Sequence, residues 1–352
     1  MRAIGLVETG PIDRPDALIE RELPDPVPTG HDLLVRVSAV SVNPVDTKIR
    51  GALPPRGGTA ASEKVFRVLG WDAVGTVVAT GDEVTLFRTG DRVYYAGSVL
   101  RPGSNAELQL VDERIVGLAP TTLCDAAAAA LPLTALTAWE MLFDRLDVNR
   151  AVPRDNRTIL IIGGAGGVGS IGIQIAKRVA NMTVIATASR PETEAWARRM
   201  GADHVVDHSR PLAEQVKQLD IGAPGFVFST TQTDQHFAQI LELIAPQGRL
   251  GVISGVGDAT RTDPLSGKSI TLCYELMFTR SIHGTPDMVE QHRALSEISR
   301  LVDAGVLESA MTSNLGPISV ESLRTAHAML ESGRTIGKVV LEGFSPGERP
   351  TY

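Results

Sequence analysis

Three glycines at the spacing Gly164-x-Gly166-x-x-Gly169 are the residues in this chain that most directly suggest chemistry. They lie in "RTILIIGGAGGVGSIG", after an apolar strand pattern and at the opening of a helical one. Small residues let a backbone approach a pyrophosphate, and a helix N-terminus offers it unpaired N–H groups and positive potential. Gly167 and Val168 fall in that same first turn and belong to the same candidate cradle. A tight strand-to-helix turn, or a site for S-adenosylmethionine, would use a similar pattern. A second strand at the right distance, "TVIATASRPET", favours a dinucleotide. In NAD-binding versions an acidic residue ends that strand and takes the ribose hydroxyls. Here Ser189 and Arg190 stand there, and a hydroxyl with a guanidinium suits a 2′-phosphate that an acid would repel. The expected cofactor is therefore NADPH. Glu192 is a counter-signal, read as a first-turn residue of the next helix. The alternative for Arg190 is an exposed charge at a helix start.

The elements that must position these residues follow from pattern. The first 120 residues are β-rich: "HDLLVRVSAVSVN" alternates, and "LGWDAVGTVVATG" and "GDRVYYAG" are short apolar runs bounded by Gly and Asp. Residues 52–63, rich in Pro and Gly, read as a surface loop. From Cys124 the chain turns alanine-rich and helical, with Pro132 as an interruption. A strand–helix rhythm then runs from "TILIIGG" to "GRLGVIS". Fully apolar strands alternating with amphipathic helices mean a parallel sheet covered on both faces, an α/β fold. The tail has two helices and a strand, "GKVVLEG", outside that rhythm, and is expected to fold back onto the N-terminal part. The final "SPGERPTY" reads as loosely held. The expected division is 1–130 with 285–352, and 131–284.

Length, charge and cysteines exclude several classes. A chain of 352 residues holds two ordinary domains, and 43% hydrophobic with 21% charged residues is a soluble composition. Its net charge of −7, with no basic run, argues against a nucleic-acid partner. The uncharged window 158–176 mimics a membrane span, but its glycines break it into strand, turn and helix, so no membrane partner is expected. Two distant cysteines, Cys124 and Cys273, and no visible signal peptide point to a reducing, cytoplasmic setting.

The segments "SAVSVNPVDTKIRG", "LGWDAVGTVVATGDEV", "TGDRVYYAG", "LPLTALTAWEML", "GGAGGVGSIGIQIAK" and "MGADHVVDH" occur in order over most of the chain. With them the chain resembles the medium-chain dehydrogenase/reductase superfamily, and within it the quinone oxidoreductase and zinc-type alcohol dehydrogenase-like branches. The resemblance implies a GroES-like β-rich catalytic domain, a Rossmann domain inserted after it, and a cofactor cleft between them. It also implies a homodimer joined by an edge strand near "SITLCYELMF".

The resemblance further implies a test for zinc. In the zinc enzymes the first ligand is a Cys near the position of Asn43, and the second is the His of a Gly-His-Glu motif. This chain has "GWD", so Trp71 stands where the His would be. Indole has no available lone pair, and the four-cysteine lobe of a structural zinc is absent. No metal is expected. Without a Lewis acid, the acceptors that suit the site are already electron-poor: quinones and α,β-unsaturated carbonyls.

The resemblance places Asn43 and Asp46 near the nicotinamide, where Asn43 would bond a substrate carbonyl or the ribose and Asp46 would orient its neighbours. A structural Asn-Pro-x-Asp turn would use the same two residues. Lys48 stands where quinone reductases carry a pocket tyrosine, and an exposed lysine is the plainer reading. Trp71 would wall the former metal pocket and stack on a flat acceptor, or simply be core. Thr137 matches a threonine at the nicotinamide end, and Lys338 a position approaching the cofactor across the cleft. Ser229 to Thr231, and Ile253 to Val256, follow strand C-termini, where such sheets bind ligands. The expected function is zinc-independent, NADPH-dependent hydride transfer to a small electrophile. Two alternatives stand beside it: a zinc-dependent alcohol dehydrogenase, and a non-catalytic NADPH-binding protein with a structural, sensing or RNA-associated role.

Overall fold

The computed structural model describes residues 1–51, 65–153, 157–255 and 263–344. The expected surface loop at 52–63, Val256, the first part of the 258–269 loop and the final "SPGERPTY" lie outside the described residues. The chain forms two compact units. One comprises Met1–Leu133, Phe278–Gly305 and Ser309–Tyr352; the other, Thr134–Met277 with Val306–Glu308.

The first unit contributes strands β1 (Arg2–Leu6), β2 (Ile19–Glu22), β3 (Asp32–Val42), β4 (Arg67–Val68), β5 (Ala73–Thr80), β6 (Arg92–Tyr95), β7 (Leu108–Asp112) and β8 (Val116–Leu118). The second contributes β9 (Thr158–Ile162), β10 (Thr183–Thr187), β11 (His204–Val206), β12 (Phe226–Ser229), β13 (Arg249–Val252) and β14 (Thr271–Tyr274). The returning tail adds β15 (Met311–Asn314) and β16 (Lys338–Glu342) to the first.

In the first unit β3 is the hub of the larger sheet, ordered β15-β16-β3-β5-β6-β8 with β7 also on β3. Its N-terminal half alternates in burial, with Leu33, Val35 and Val37 inside and Arg36 exposed, as a half-solvated strand must. The returning β16 pairs antiparallel with β3, and the register Val339↔Val42 brings Lys338 up against Asn43. A short helix, α1 (Pro44–Gly51), begins one residue after Asn43. Its helical φ is preset by Pro44 at the first turn. The next helix, α2 (Asp125–Ala129), opens the alanine run.

The second unit is a six-stranded parallel sheet, β11-β10-β9-β12-β13-β14. Its central strand β9, "TILII", is buried at every position, as a strand covered on both faces must be. The helices are α3 (Pro132–Trp139), α4 (Gly167–Gln174), α5 (Pro191–Met200), α6 (Leu212–Gln218), α7 (Thr233–Leu243) and α8 (Asp263–Ser266). The first unit adds α9 (Thr279–His283), α10 (Val289–Asp303) and α11 (Val320–Glu331). The strand order reverses direction between β9 and β12. At such a switch point the strand C-termini leave a crevice for a ligand.

Among the described residues one helical stretch, Asp125–Arg145, is long and apolar enough to cross a membrane. Most of its apolar window (83%) is buried in the protein, as in the core helix of a folded domain.

Candidate active site

The glycine loop leaves β9 through Gly163, whose φ of +81° is left-handed and suits glycine alone. Its N–H donates to Thr187 Oγ1 at 3.0 Å, while the Gly164 N–H donates to the Thr187 carbonyl at 3.1 Å. A Cβ on Gly169 would lie 2.1 Å from the Gly163 carbonyl oxygen, and one on Gly164 would lie 2.8 Å from Ala186 Cβ. These two glycines therefore allow the helix to pack on the sheet. Gly166 is different: a Cβ there would meet nothing closer than 3.5 Å. It caps α4 with no side chain, so the first-turn N–H groups of Gly167, Val168 and Gly169 face a space that a methyl would partly fill. The cradle fits a pyrophosphate. Gly163 was not in the sequence motif; the doubled glycine was its only signal.

At the end of β10, Ser189 is exposed and Arg190 half-buried, so both can meet a ligand. Arg190 precedes α5 as its N-cap, and its backbone N–H bonds Thr193 Oγ1 at 3.1 Å. Its guanidinium lies 3.3 Å from Glu192, a first-turn residue as expected. Beside them His208, which the sequence places next to a strand of this unit without a role at the cofactor, contacts Thr187 Oγ1 through Nδ1 at 3.2 Å.

The remaining cofactor candidates divide. Thr137 is buried on α3, and Ile253 is half-buried just after β13. Ser229 is wholly buried, and its hydroxyl is shared with Thr233 at 2.9 Å, so it turns into the unit. Its neighbour Thr230 is the residue against the loop, with its hydroxyl on the Ile162 carbonyl at 2.7 Å. A Cβ on Gly163 would sit 2.6 Å from that oxygen.

In the first unit the catalytic candidates turn out to bind one another. The Asn43 amide donates to Asp72 Oδ2 at 2.9 Å, the Trp71 carbonyl at 3.1 Å and the Ser41 carbonyl at 3.2 Å. Its amide oxygen accepts from the Lys338 ammonium. That ammonium also bonds the Val42 carbonyl at 3.0 Å and pairs with Asp72 at 3.1 Å. Asp72 further accepts the Leu133 N–H at 2.8 Å. All are buried. Burial pushes the Asp72 carboxyl above the usual range against the pull of Lys338. Asp46 accepts the Asn43 N–H at 2.7 Å, and burial pushes it up to about 7.

These contacts bear on four of the candidates. The Asn43 side chain is saturated by protein partners, so it has no bond left for a substrate carbonyl. Lys338 spends its donors on Val42, Asn43 and Asp72 and not on a cofactor. Trp71 is fully buried with its indole N–H on the Ser98 carbonyl at 3.0 Å; it is core, with Arg67 over its ring. Lys48 is exposed on α1, in line with the plainer of its two readings.

Two family signatures match the chain: "Alcohol dehydrogenase GroES-like domain" over residues 29–123 and "Zinc-binding dehydrogenase" over residues 167–300. A zinc-type alcohol dehydrogenase-like protein of Staphylococcus epidermidis is 41% identical over 97% of this chain and 99% of its own. The chain belongs to the medium-chain dehydrogenase/reductase superfamily. A quinone oxidoreductase of Pseudomonas aeruginosa, another relative of this dehydrogenase/reductase, is 30% identical over 93% of this chain and 96% of its own. Among solved structures, a Rhizobium etli protein provisionally named a zinc-dependent alcohol dehydrogenase is 55% identical, with a TM-score of 0.93 and 98% of each chain covered. A mycobacterial protein solved with NADPH is 28% identical, with a TM-score of 0.80, covering 97% of this chain and 100% of its own. The chain is thus a medium-chain oxidoreductase with a GroES-like domain and a Rossmann-like parallel sheet.

The zinc in these names does not fit the residues present. Among the described residues no three His, Cys, Asp or Glu side chains gather as metal ligands. Where the medium-chain zinc enzymes are expected to place their first two ligands stand an amide and an indole, and neither is a zinc ligand. The two carboxylates beside them already hold an ammonium and backbone N–H groups.

Proposed function

We propose that this medium-chain dehydrogenase/reductase is a zinc-independent, NADPH-dependent oxidoreductase that reduces quinones or α,β-unsaturated carbonyls. The observation that carries this reading is the Lys338 ammonium held by Asn43 and Asp72, a fixed positive charge among the residues that would otherwise carry zinc. A second cation at that spot would be repelled, and the donor set is spent. Lacking a Lewis acid, the protein has no strong means of polarising a simple ketone, which leaves electron-poor acceptors. Bound NADPH would supply the hydride.

The chain's own residues bind and orient. The first turn of α4 (Gly167, Val168, Gly169) receives the pyrophosphate, while Gly163 and Thr187 hold the loop that presents it. Ser189 and Arg190 favour the 2′-phosphate over a bare ribose. The quinone oxidoreductase relative and the NADPH-bound mycobacterial relative support both halves of the reading. Both cysteines are free thiols, in keeping with a cytoplasmic enzyme.

The test is NADPH oxidation by chelator-treated protein, with a quinone and a simple enone as acceptors and NADH as control. Turnover that survives chelation and prefers NADPH is the expected result. Activity lost with the chelator and restored by zinc, or seen only with alcohols, would establish the zinc enzyme instead. Tight NADPH binding without turnover on any electrophile would favour the non-catalytic reading.

A further inference from the structure

We propose that His208 is a specificity-determining residue for the cofactor's 2′-phosphate, completing an anion subsite with Ser189 and Arg190. This rests on the NADPH reading above. Strands β10 and β11 run parallel with Thr187 beside Val206, and the Ala188 N–H bonds the Val206 carbonyl at 3.0 Å. Ser189 and His208 each lie two residues past that pair, so both chains leave the sheet side by side at its ligand-binding end.

The hydrogen-bond chain is compatible with one imidazole tautomer that leaves a donor at the outer nitrogen. Thr187 Oγ1 accepts from the Gly163 N–H at 3.0 Å and keeps its own proton, which the contact to His208 Nδ1 at 3.2 Å can take up. In that arrangement Nδ1 accepts and the ring proton is on Nε2; we take this tautomer as part of the proposal. Burial, and to a lesser degree the Arg190 charge, hold the imidazole below its ordinary range despite Asp207. In this tautomer the neutral ring offers its Nε2–H next to the Arg190 charge. The ring is braced edge-on by His236, with centroids 6.1 Å apart. A preoriented N–H beside a guanidinium is the pairing that a phosphate dianion accepts. The bland alternative is that His208 only steadies Thr187, and through it the glycine loop.

The experiment is fluorescence titration of the full chain with NADPH and with NADH. His208→Phe keeps the ring and removes its donors, and should weaken NADPH about tenfold while leaving NADH within about twofold. His208→Lys should restore most of the NADPH preference, since it returns a cation without the Thr187 bond. Thr187→Val, which cuts the link to Gly163, should weaken both cofactors alike. If His208→Phe weakens both equally, or neither, while the wild-type chain prefers NADPH, His208 has no part in the 2′-phosphate subsite. A wild-type chain that binds NADH as tightly as NADPH overturns the cofactor reading itself, and this proposal with it.

Discussion

Lys338 joins two buried partners, the Asn43 amide oxygen and the Asp72 carboxylate, and each residue depends on the other two. Removing the ammonium would leave the Asp72 carboxyl buried without its ion-pair partner. Lys338→Met should therefore cost about 3–5 kcal/mol of stability in urea denaturation, the usual result of breaking a buried pair from one side. Asp46 gives a pH dependence, because its folded pKa of about 7 lies above its ordinary value. Between roughly pH 4 and pH 7 the folded chain keeps a proton there that the unfolded chain has lost, so stability falls as pH rises through that window. Asp46→Asn removes this part of the decline. The variant should gain on wild type across the same window, reaching a few kcal/mol at pH 8, measured by denaturation at a series of pH values. Unchanged pH profiles would show that the carboxyl is ionised throughout. Sequence reasoning considered Asn43, Trp71 and Lys338 separately, each against a ligand or a structural role. Their mutual bonds come from strand pairing across 296 residues, which no local pattern displays.

The glycine loop was legible as an element because its glycines answer to backbone geometry that sequence spacing encodes. The structure separates their roles. Gly166 has φ −74°, which alanine tolerates, and open space where a Cβ would go. Gly166→Ala should fold with its thermal midpoint almost unchanged yet bind NADPH at least about tenfold more weakly, because the methyl enters the phosphate cradle. Gly169→Ala places its Cβ against the Gly163 carbonyl at 2.1 Å. It should lose about 1–3 kcal/mol of stability by overpacking, even without cofactor. Equal effects of the two variants on folding would contradict this division. Ser229 shows the limit of element-level reading. At the C-terminal end of β12, whether Ser229 or Thr230 faces the loop depends on which way each side chain leaves the strand.

At the scale of the molecule, β14 is an edge strand that pairs only with β13. The Thr271 and Glu275 N–H groups point inward to Gly248 and Val252, so those of Leu272 and Tyr274 point out. Tyr274 is 52% exposed. We propose that this edge joins a second copy, since an unpaired flat edge is a template for another strand. Tyr274→Pro deletes an outward donor without touching the β13 ladder. It should convert dimer to monomer in sedimentation with little change in thermal midpoint; a dimer that persists would place the interface elsewhere. The alternation of apolar strands and amphipathic helices and the glycine spacing determined the α/β class and the strand-to-helix glycine turn from sequence alone. Those features obey periodicity and backbone sterics, which act over a few residues. The fate of Asn43, Asp72 and Lys338, the place of Gly163 in the turn and the position of His208 were decided only by tertiary structure. Each depends on the register of strands distant in the chain, and on which polar groups burial leaves to satisfy one another.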